Sequence, residues 1–166
     1  MAQVIWIALA GFTAIWIADV SHEERVKTEA FDKAVSLSKD KGIVNLGATG
    51  AWIVSTTKRI ARHPTIKVNV DIRTDDTPKF MRWDLENIPY PFRSKEFDVA
   101  FCAHILEHLE NWDEALVEWQ RIADNVIVVL PVPYLHGWFS PDHKQHFSHK
   151  DIEGMKAEYP EVEIYY

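Results

Sequence analysis

Two glycines and a downstream acid form the first group of residues that could do chemistry. Gly47 and Gly50 follow a short apolar run, and Asp71 stands near the end of the next one. Glycines at such a turn let the backbone approach a ligand, and the free N–H groups of a following helix attract negative charge. A carboxylate at a strand end is suited to hydrogen-bonding a ribose diol. The spacing therefore favours a nucleoside-type cofactor over a purely structural turn.

Histidines supply the candidate acid–base groups. His104 follows a third apolar run, and His143 and His146 lie in a polar stretch beyond a fourth. An imidazole has a pKa suited to taking a proton from an attacking hydroxyl or amine near neutral pH. We take His104 as the first candidate base, His146 as the second and His143 as the third. For each of them the alternative is a structural histidine held by hydrogen bonds.

Two histidine patterns are possible metal-binding motifs. The letters HILEH, which begin at His104, have the spacing of an inverted zinc-peptidase motif with Glu107 as its base. That motif needs both histidines on one helix face and a third ligand from another helix, and His104 is predicted close to a strand end. A second group, His143, His146 and His149, contains no cysteine and lies in a predicted loop. We therefore predict no metal site.

Alternating strand-like and helix-like segments would position these residues. The predicted strands are 43–46, 66–72, 97–103, 125–130 and 162–166, and the predicted helices are 51–62, a stretch ending at 121, and 151–159. This alternation predicts an α/β fold, with a Rossmann-like, mostly parallel sheet flanked by helices. In such sheets ligands bind beyond the carboxyl ends of the strands, where the glycine turn, Asp71 and His104 fall.

Length, charge and cysteine content exclude several classes of protein. The chain has 166 residues, of which 47% are hydrophobic, so it suits one folded domain and is not wholly disordered. Its formal charge of −7 argues against a nucleic-acid partner, because phosphate binding needs a basic surface. The single cysteine, Cys102, excludes an internal disulfide and suits a reducing compartment.

The N-terminal segment differs from the rest of the chain. Residues 4–20 carry no charge before Asp19, and as a helix they would extend about 26 Å, the lower end of a membrane span. The nearest basic residues all follow this segment, so the positive-inside rule predicts a membrane anchor at 1–21 with the later domain in the cytoplasm. A helix docked on a protein partner and a cleaved signal are the alternatives. An amphipathic connecting helix is predicted over 22–41, capped by Ser21, and the site-bearing domain over 42–166.

Three stretches carry a resemblance to a known family. They are FDVAFCAHILEHL at 97–109, WDLENIPYPF at 83–92 and HKQHFS at 143–148. In order and in letters they resemble the class I S-adenosylmethionine-dependent methyltransferases, of the kind called type 11, over approximately residues 40–166. The resemblance implies a methyltransferase domain and S-adenosylmethionine as its cofactor.

The resemblance also implies roles for single residues. The implied cofactor-binding residues are Gly47, Gly50, Asp71, Asp84, Leu85 and Ala103. The two glycines would line the methionine end of the cofactor, Asp71 would bind the ribose hydroxyls, and the Asp84–Leu85 pair would face the adenine. Ala103 and His104 would lie beside the transferred methyl group.

Two departures from the family pattern keep a second function open. Thr49 stands where the family has its middle glycine, and its Cβ would crowd a cofactor. The sequence also ends around the sixth strand of a seven-stranded family, which would leave a sheet edge open or covered by a partner. We expect S-adenosylmethionine-dependent methyl transfer to a small-molecule, lipid or glycan acceptor at the membrane that residues 4–20 reach. The alternative is an inactive methyltransferase fold, a structural subunit of a membrane assembly docked through its N-terminal helix.

Overall fold

Six strands and four α-helices make up the part of the chain that the computed structural model describes, residues 2–48, 55–73, 77–131 and 142–166. Within the first helix, side chains are described from Val20 onward. The helices are α1 (Ala2–Leu37), α2 (Ser55–Ala61), α3 (Trp112–Ile122) and α4 (His149–Glu158). The strands are β1 (Ile43–Leu46), β2 (Ile66–Asp71), β3 (Phe80–Arg82), β4 (Phe97–Ala103), β5 (Ala123–Val129) and β6 (Val162–Tyr165).

The strands form one sheet in which every neighbouring pair is parallel, in the order β3-β2-β1-β4-β5-β6. In chain order, β2 and β3 are added on one side of β1, and β4, β5 and β6 are then added on its other side. The switch between β1 and β4 is the place where open α/β sheets form a ligand-binding crevice. This arrangement confirms the predicted α/β fold with a Rossmann-like parallel sheet.

Burial on both faces explains why the central strands are continuous apolar runs. All residues of β4 except Ala103 are buried, and so are the last four residues of β5. Parallel strands covered by helices on both sides have this composition. One face packs on α3, where Leu116 and Trp119 are fully buried, and the other packs on α1.

The first helix is continuous through Ser21, so the predicted N-cap at that residue is wrong. A cap forms where the preceding backbone leaves the helical conformation, and here the residues before Ser21 are themselves helical. Further along, Ala30 and Ala34 are fully buried, and the ring of Phe31 meets that of Phe101 at a centroid distance of 5.3 Å. The second half of α1 therefore covers one face of the sheet.

The direction of α1 brings its middle to the carboxyl edge of the sheet. The N–H of Lys39, just past the helix, donates to Asp98 at the start of β4. At the other end of β4, the charge of Lys27 acts on His104. The helix thus runs antiparallel to β4, and residue numbers fall toward the edge at which the strands end.

Among the residues with described side chains, no helix is both long and apolar enough to cross a membrane. The predicted anchor covers residues 4–20, and the structure describes no side chain before residue 20. The anchor therefore stays a prediction.

Candidate functional site

The register of the sheet brings three predicted cofactor-binding residues to one level. Leu46 of β1 lies opposite Val70 of β2 and Cys102 of β4. The next residues on the three strands are Gly47, Asp71 and Ala103. They share the carboxyl edge on both sides of the switch point, as the sequence analysis predicted for a ligand-binding edge.

Gly47 is required by its backbone and by a neighbour. Its φ of +76° lies in the left-handed region, and its N–H donates to the carbonyl oxygen of Val70 at 2.8 Å. A Cβ on this residue would lie 1.9 Å from Cγ1 of Ile105. Glycine here therefore admits a side chain from the segment after β4, in addition to any ligand that approaches the turn. Gly50 and Thr49 lie outside the described residues.

Asp71 is a buried carboxylate, only 4% exposed, at the last position of β2. Its Oδ1 accepts a hydrogen bond of 2.9 Å from the N–H of Arg73, and its carbonyl oxygen accepts one of 3.0 Å from the N–H of Trp83. The second bond ties the strand end to the loop that carries Asp84 and Leu85. A carboxylate held at such a position fits a ligand that presents hydroxyl donors, as a ribose does.

The loop with Asp84 and Leu85 is fixed from the α3 side. Oδ1 of Asp84 accepts a 3.0 Å bond from the N–H of Glu86, which closes a local turn. Leu85 is buried, and its carbonyl oxygen accepts a 2.9 Å bond from the Tyr90 hydroxyl. Trp119 of α3 in turn donates to that hydroxyl at 3.0 Å. The side chain of Leu85 lies in the hydrophobic core, so this residue anchors the loop to the core.

His104 is strained and its ring is poorly solvated. Its φ is +56°, and its N–H donates to the carbonyl oxygen of Val129 at 2.9 Å. Its Nε2 is buried and has no hydrogen-bond partner in the described ranges. Burial first, and then the nearby Lys27 charge, lower the pKa of His104 to about 3. The ring is therefore neutral at pH 7, and it is a weaker proton acceptor than an ordinary histidine.

His146, the second candidate base, is exposed, and its ring lies 6.1 Å from the ring of His143. Within the described residues, no hydrogen bond or ring contact joins His146 to His104. The structure thus places one candidate at the end of β4 and the other in the loop before α4.

The sequence pattern predicts a helix directly after β4, but the structure does not have one there. The left-handed His104 is followed by a 3₁₀ turn at Leu106–His108, and α3 begins only at Trp112. The two histidines of the HILEH stretch therefore do not share a helix face, and the inverted zinc-peptidase geometry does not form.

A different group of ligand-type side chains comes together at this turn. One ligand atom from each of Glu107, His108 and His143 lies within 4.8 Å of the others. Glu107 is 1% exposed, and within the described part of the chain neither of its carboxylate oxygens has a hydrogen-bond partner. Burial raises the pKa of Glu107 to about 8. The carbonyl oxygen of Glu107 accepts bonds of 2.8 and 2.9 Å from the N–H groups of Lys144 and Gln145, which brings the two segments together. Sequence reasoning missed this group because it combined each histidine only with its sequence neighbours.

The comparisons with known proteins agree with the strand-end geometry. A family model described as a methyltransferase domain matches residues 49–125, from within the glycine turn to the start of β5. No curated protein matches the chain. The matched segment includes Asp71, Asp84 and the turn after β4. Residues 49–125 are therefore similar to a methyltransferase domain, and the match supports the resemblance to the class I S-adenosylmethionine-dependent methyltransferases.

Proposed function

We propose that this chain binds S-adenosylmethionine at the carboxyl ends of β1, β2 and β4 and transfers its methyl group to an acceptor. The observation that carries the proposal is the common level of Gly47, Asp71 and Ala103 at the switch point of the sheet. The cofactor supplies an electrophilic methyl group on a sulfonium. The chain's own contribution is to hold the two reactants in line and away from water, which is where most of the rate enhancement in such a transfer arises.

The proposed roles are those that the family resemblance implies, and the surroundings of each residue are compatible with them. The Asp71 carboxylate accepts hydrogen bonds from the ribose hydroxyls, and the Asp84–Leu85 loop faces the adenine. Gly47 borders the methionine end, next to the Ile105 side chain. His104, being neutral, orients an acceptor hydroxyl or amine through a hydrogen bond, and the exposed His146 is the second candidate base for the acceptor's proton.

The acceptor is proposed to be held at a membrane, as a lipid or a lipid-linked glycan is. The course of α1 supports this part of the proposal. An unbroken helix joins Lys27, whose charge acts on the candidate site, to the apolar segment at residues 4–20. An anchor in that segment would hold the carboxyl edge of the sheet close to the membrane surface, on its cytoplasmic side.

Flotation of the full chain with lipid vesicles tests the membrane part separately. An anchored chain floats with the vesicles and stays with them in high salt, because apolar insertion is not screened by ions. A folded chain that stays at the bottom of the gradient would contradict the anchor and leave the cofactor proposal standing.

Calorimetric titration with S-adenosylhomocysteine, the demethylated cofactor, tests the cofactor part. The folded wild type should bind one equivalent. Asp71→Asn should weaken binding by roughly 10- to 100-fold, since charge-assisted hydrogen bonds to the ligand are lost. Asp124→Asn is the matched control, because Asp124 lies at the opposite, amino end of the sheet in an exposed ion pair with Lys41.

A folded wild type that gives no heat of binding would contradict the enzymatic proposal. That result would favour the alternative, an inactive methyltransferase fold that serves a membrane assembly. Thr49, at the place of the family's middle glycine, and the apolar segment at residues 4–20 are sequence features that support this alternative.

A further inference from the structure

We propose that Glu107, His108 and His143 bind a divalent transition-metal ion, of the kind that Zn²⁺ represents, beside the carboxyl end of β4. These three residues combine one histidine and the glutamate of the turn after β4 with a histidine from the loop before α4. This differs from the sequence analysis, which predicted no metal site.

The ligand atoms of the three side chains lie slightly farther apart than they would around a bound metal ion. Their candidate ligand atoms lie within 4.8 Å of one another. Around a tetrahedral zinc ion, nitrogen and oxygen ligands at their usual bond lengths lie about 3.4 Å apart. A shift of about an ångström, within reach of side-chain rotation, therefore completes the coordination. Two histidines and a glutamate with an open fourth position are a donor set that zinc uses at catalytic sites.

Glu107 is the observation that points to a ligand. Its side chain is buried, and both carboxylate oxygens lack a hydrogen-bond partner among the residues that the structure describes. A buried carboxyl group without a partner is destabilising, whereas a metal ion would satisfy it.

A backbone contact decides which ring nitrogen of His108 is available to an ion. Its Nδ1 lies 3.0 Å from the carbonyl oxygen of Asp142. A carbonyl oxygen can only accept, so Nδ1 carries the proton and the lone pair of the neutral ring is on Nε2. A hydrogen bond from the second ring nitrogen to a carbonyl is the usual way in which proteins fix the tautomer of a metal-binding histidine.

The loop that carries His143 is held against the turn by several contacts. The N–H groups of Lys144 and Gln145 both donate to the carbonyl oxygen of Glu107. The Lys144 ammonium lies 2.9 Å from Glu86 and 3.1 Å from Glu110. The donors are thus assembled by contacts that do not involve the ion, as expected of a preorganised site.

The position of the ion suggests its use, and this part alone rests on the proposed function. Glu107 lies three residues after His104, which the resemblance places beside the transferred methyl group. An open coordination position there would hold the oxygen of a hydroxyl-bearing acceptor and favour its deprotonation. The substrate class implied is an alcohol or a sugar, in preference to an amine.

Zinc titration of the full chain, freed of metal by a chelator and kept without cofactor, tests the site. Wild type should bind one equivalent of Zn²⁺ and retain it after dialysis, and its melting temperature should rise on loading. His108→Ala and His143→Ala should each weaken binding at least tenfold. His149→Ala is the matched control and should bind as wild type does, because this exposed histidine packs on Tyr166 instead. Mg²⁺, which prefers oxygen ligands, should bind more weakly than Zn²⁺.

Three results would overturn the metal proposal. They are a folded wild type that binds no Zn²⁺, binding that survives in both His108→Ala and His143→Ala, and binding that is lost equally in His149→Ala. Glu107→Gln, which keeps the size of the side chain, guards against misfolding as an explanation. It should retain the circular dichroism spectrum of wild type while it loses zinc affinity. The zinc titration is done without cofactor, and cofactor binding is measured in a separate experiment. A failure of the metal proposal can therefore be distinguished from a failure of the proposed function.

Discussion

At the scale of single residues, Gly47 shows how one missing Cβ shapes the candidate site. The residue adopts a left-handed conformation, and the side chain of Ile105 fills the space that a Cβ would take. Packing within the fold thus requires a glycine at position 47, independently of any ligand. A ligand at this edge would contact the Ile105 side chain beside the end of β1.

Gly47→Ala should destabilise the fold by about 2–4 kcal/mol, the sum of left-handed strain and a steric clash in a packed region. Gly154→Ala is the matched control. Gly154 lies in α4, with nothing within 4 Å of an added Cβ, so alanine there should stabilise by roughly 0.5–1 kcal/mol. Urea unfolding of both variants measures the two values. Equal and small effects at both positions would contradict the packing of Ile105 on Gly47.

Strand-end residues were predictable from the sequence, but the group around Glu107 was not. Asp71 and Ala103 end buried strands whose apolar runs are visible in the sequence, so their place at the carboxyl edge follows from the fold class. The approach of His143 to Glu107 depends on a loop that folds back over a turn 36 residues earlier. No local pattern carries that information, because it arises from backbone hydrogen bonds between distant segments.

At the scale of elements, one buried carboxylate holds the end of α1 to the sheet. Oδ2 of Asp98, in β4, accepts hydrogen bonds of 2.6 Å from the N–H of Lys39 and 2.9 Å from the N–H of Gly42. These two residues lie in the connection between α1 and β1. Asp98 thus fixes where the helix ends and where the first strand begins.

Asp98→Ala should cost about 2–4 kcal/mol of unfolding free energy, because two backbone donors lose a charged acceptor. Hydrogen exchange at the Lys39 and Gly42 amides should speed up in the same variant. Asp98→Asn, whose amide oxygen can take the place of Oδ2, should retain most of the stability. If the alanine and asparagine variants are equally stable, the carboxylate does not have the role described here.

A second carboxylate fixes the loop that carries Asp84 and Leu85. Glu118 of α3 accepts a 2.6 Å bond from the N–H of Tyr90 and two bonds of 2.7 Å from Arg121. Arg121 also donates to the carbonyl oxygens of Tyr90 and Phe92. Burial works to raise the pKa of Glu118, but the Arg121 and Tyr90 bonds outweigh it and hold the pKa below its ordinary value of 4.5.

Because the folded pKa of Glu118 is depressed, its contribution to stability is complete above the pKa of an unfolded glutamate and is lost as the pH falls through the folded value. The difference in unfolding free energy between wild type and Glu118→Gln should be constant from pH 7 to about pH 5 and should shrink below that. Urea unfolding across this range measures it. A difference that is the same at pH 7 and pH 3 would exclude the ion pair as its source.

Element boundaries were predictable where burial is regular. The apolar runs at Ile43–Leu46 and Phe97–Ala103 form strands with the predicted bounds. β3 went unpredicted because it has only three residues, none of them buried. The sequence pattern predicts a helix from the end of β4 through Arg121, whereas the left-handed His104 interrupts the helical backbone and a 3₁₀ turn follows it.

At the scale of the whole molecule, the parallel sheet gathers the candidate groups at one edge. The strand ends of β1, β2 and β4, the turn with Glu107 and the middle of α1 all lie there. The opposite edge holds the Asp98 contacts and the Lys41–Asp124 ion pair, which stabilise the fold. This division is general for α/β sheets, in which ligands bind beyond the carboxyl ends of the strands.

Hydrogen–deuterium exchange with and without S-adenosylhomocysteine tests this central claim most directly, because it reports which edge of the sheet meets the ligand. Ligand should slow amide exchange in peptides that contain the ends of β1, β2 and β4, around Gly47, Asp71 and Ala103, and in the Asp84–Leu85 loop. Peptides at the amino edge, around Gly42 and Asp124, should be unchanged. Protection confined to the amino edge, or none at saturating ligand, would contradict the account.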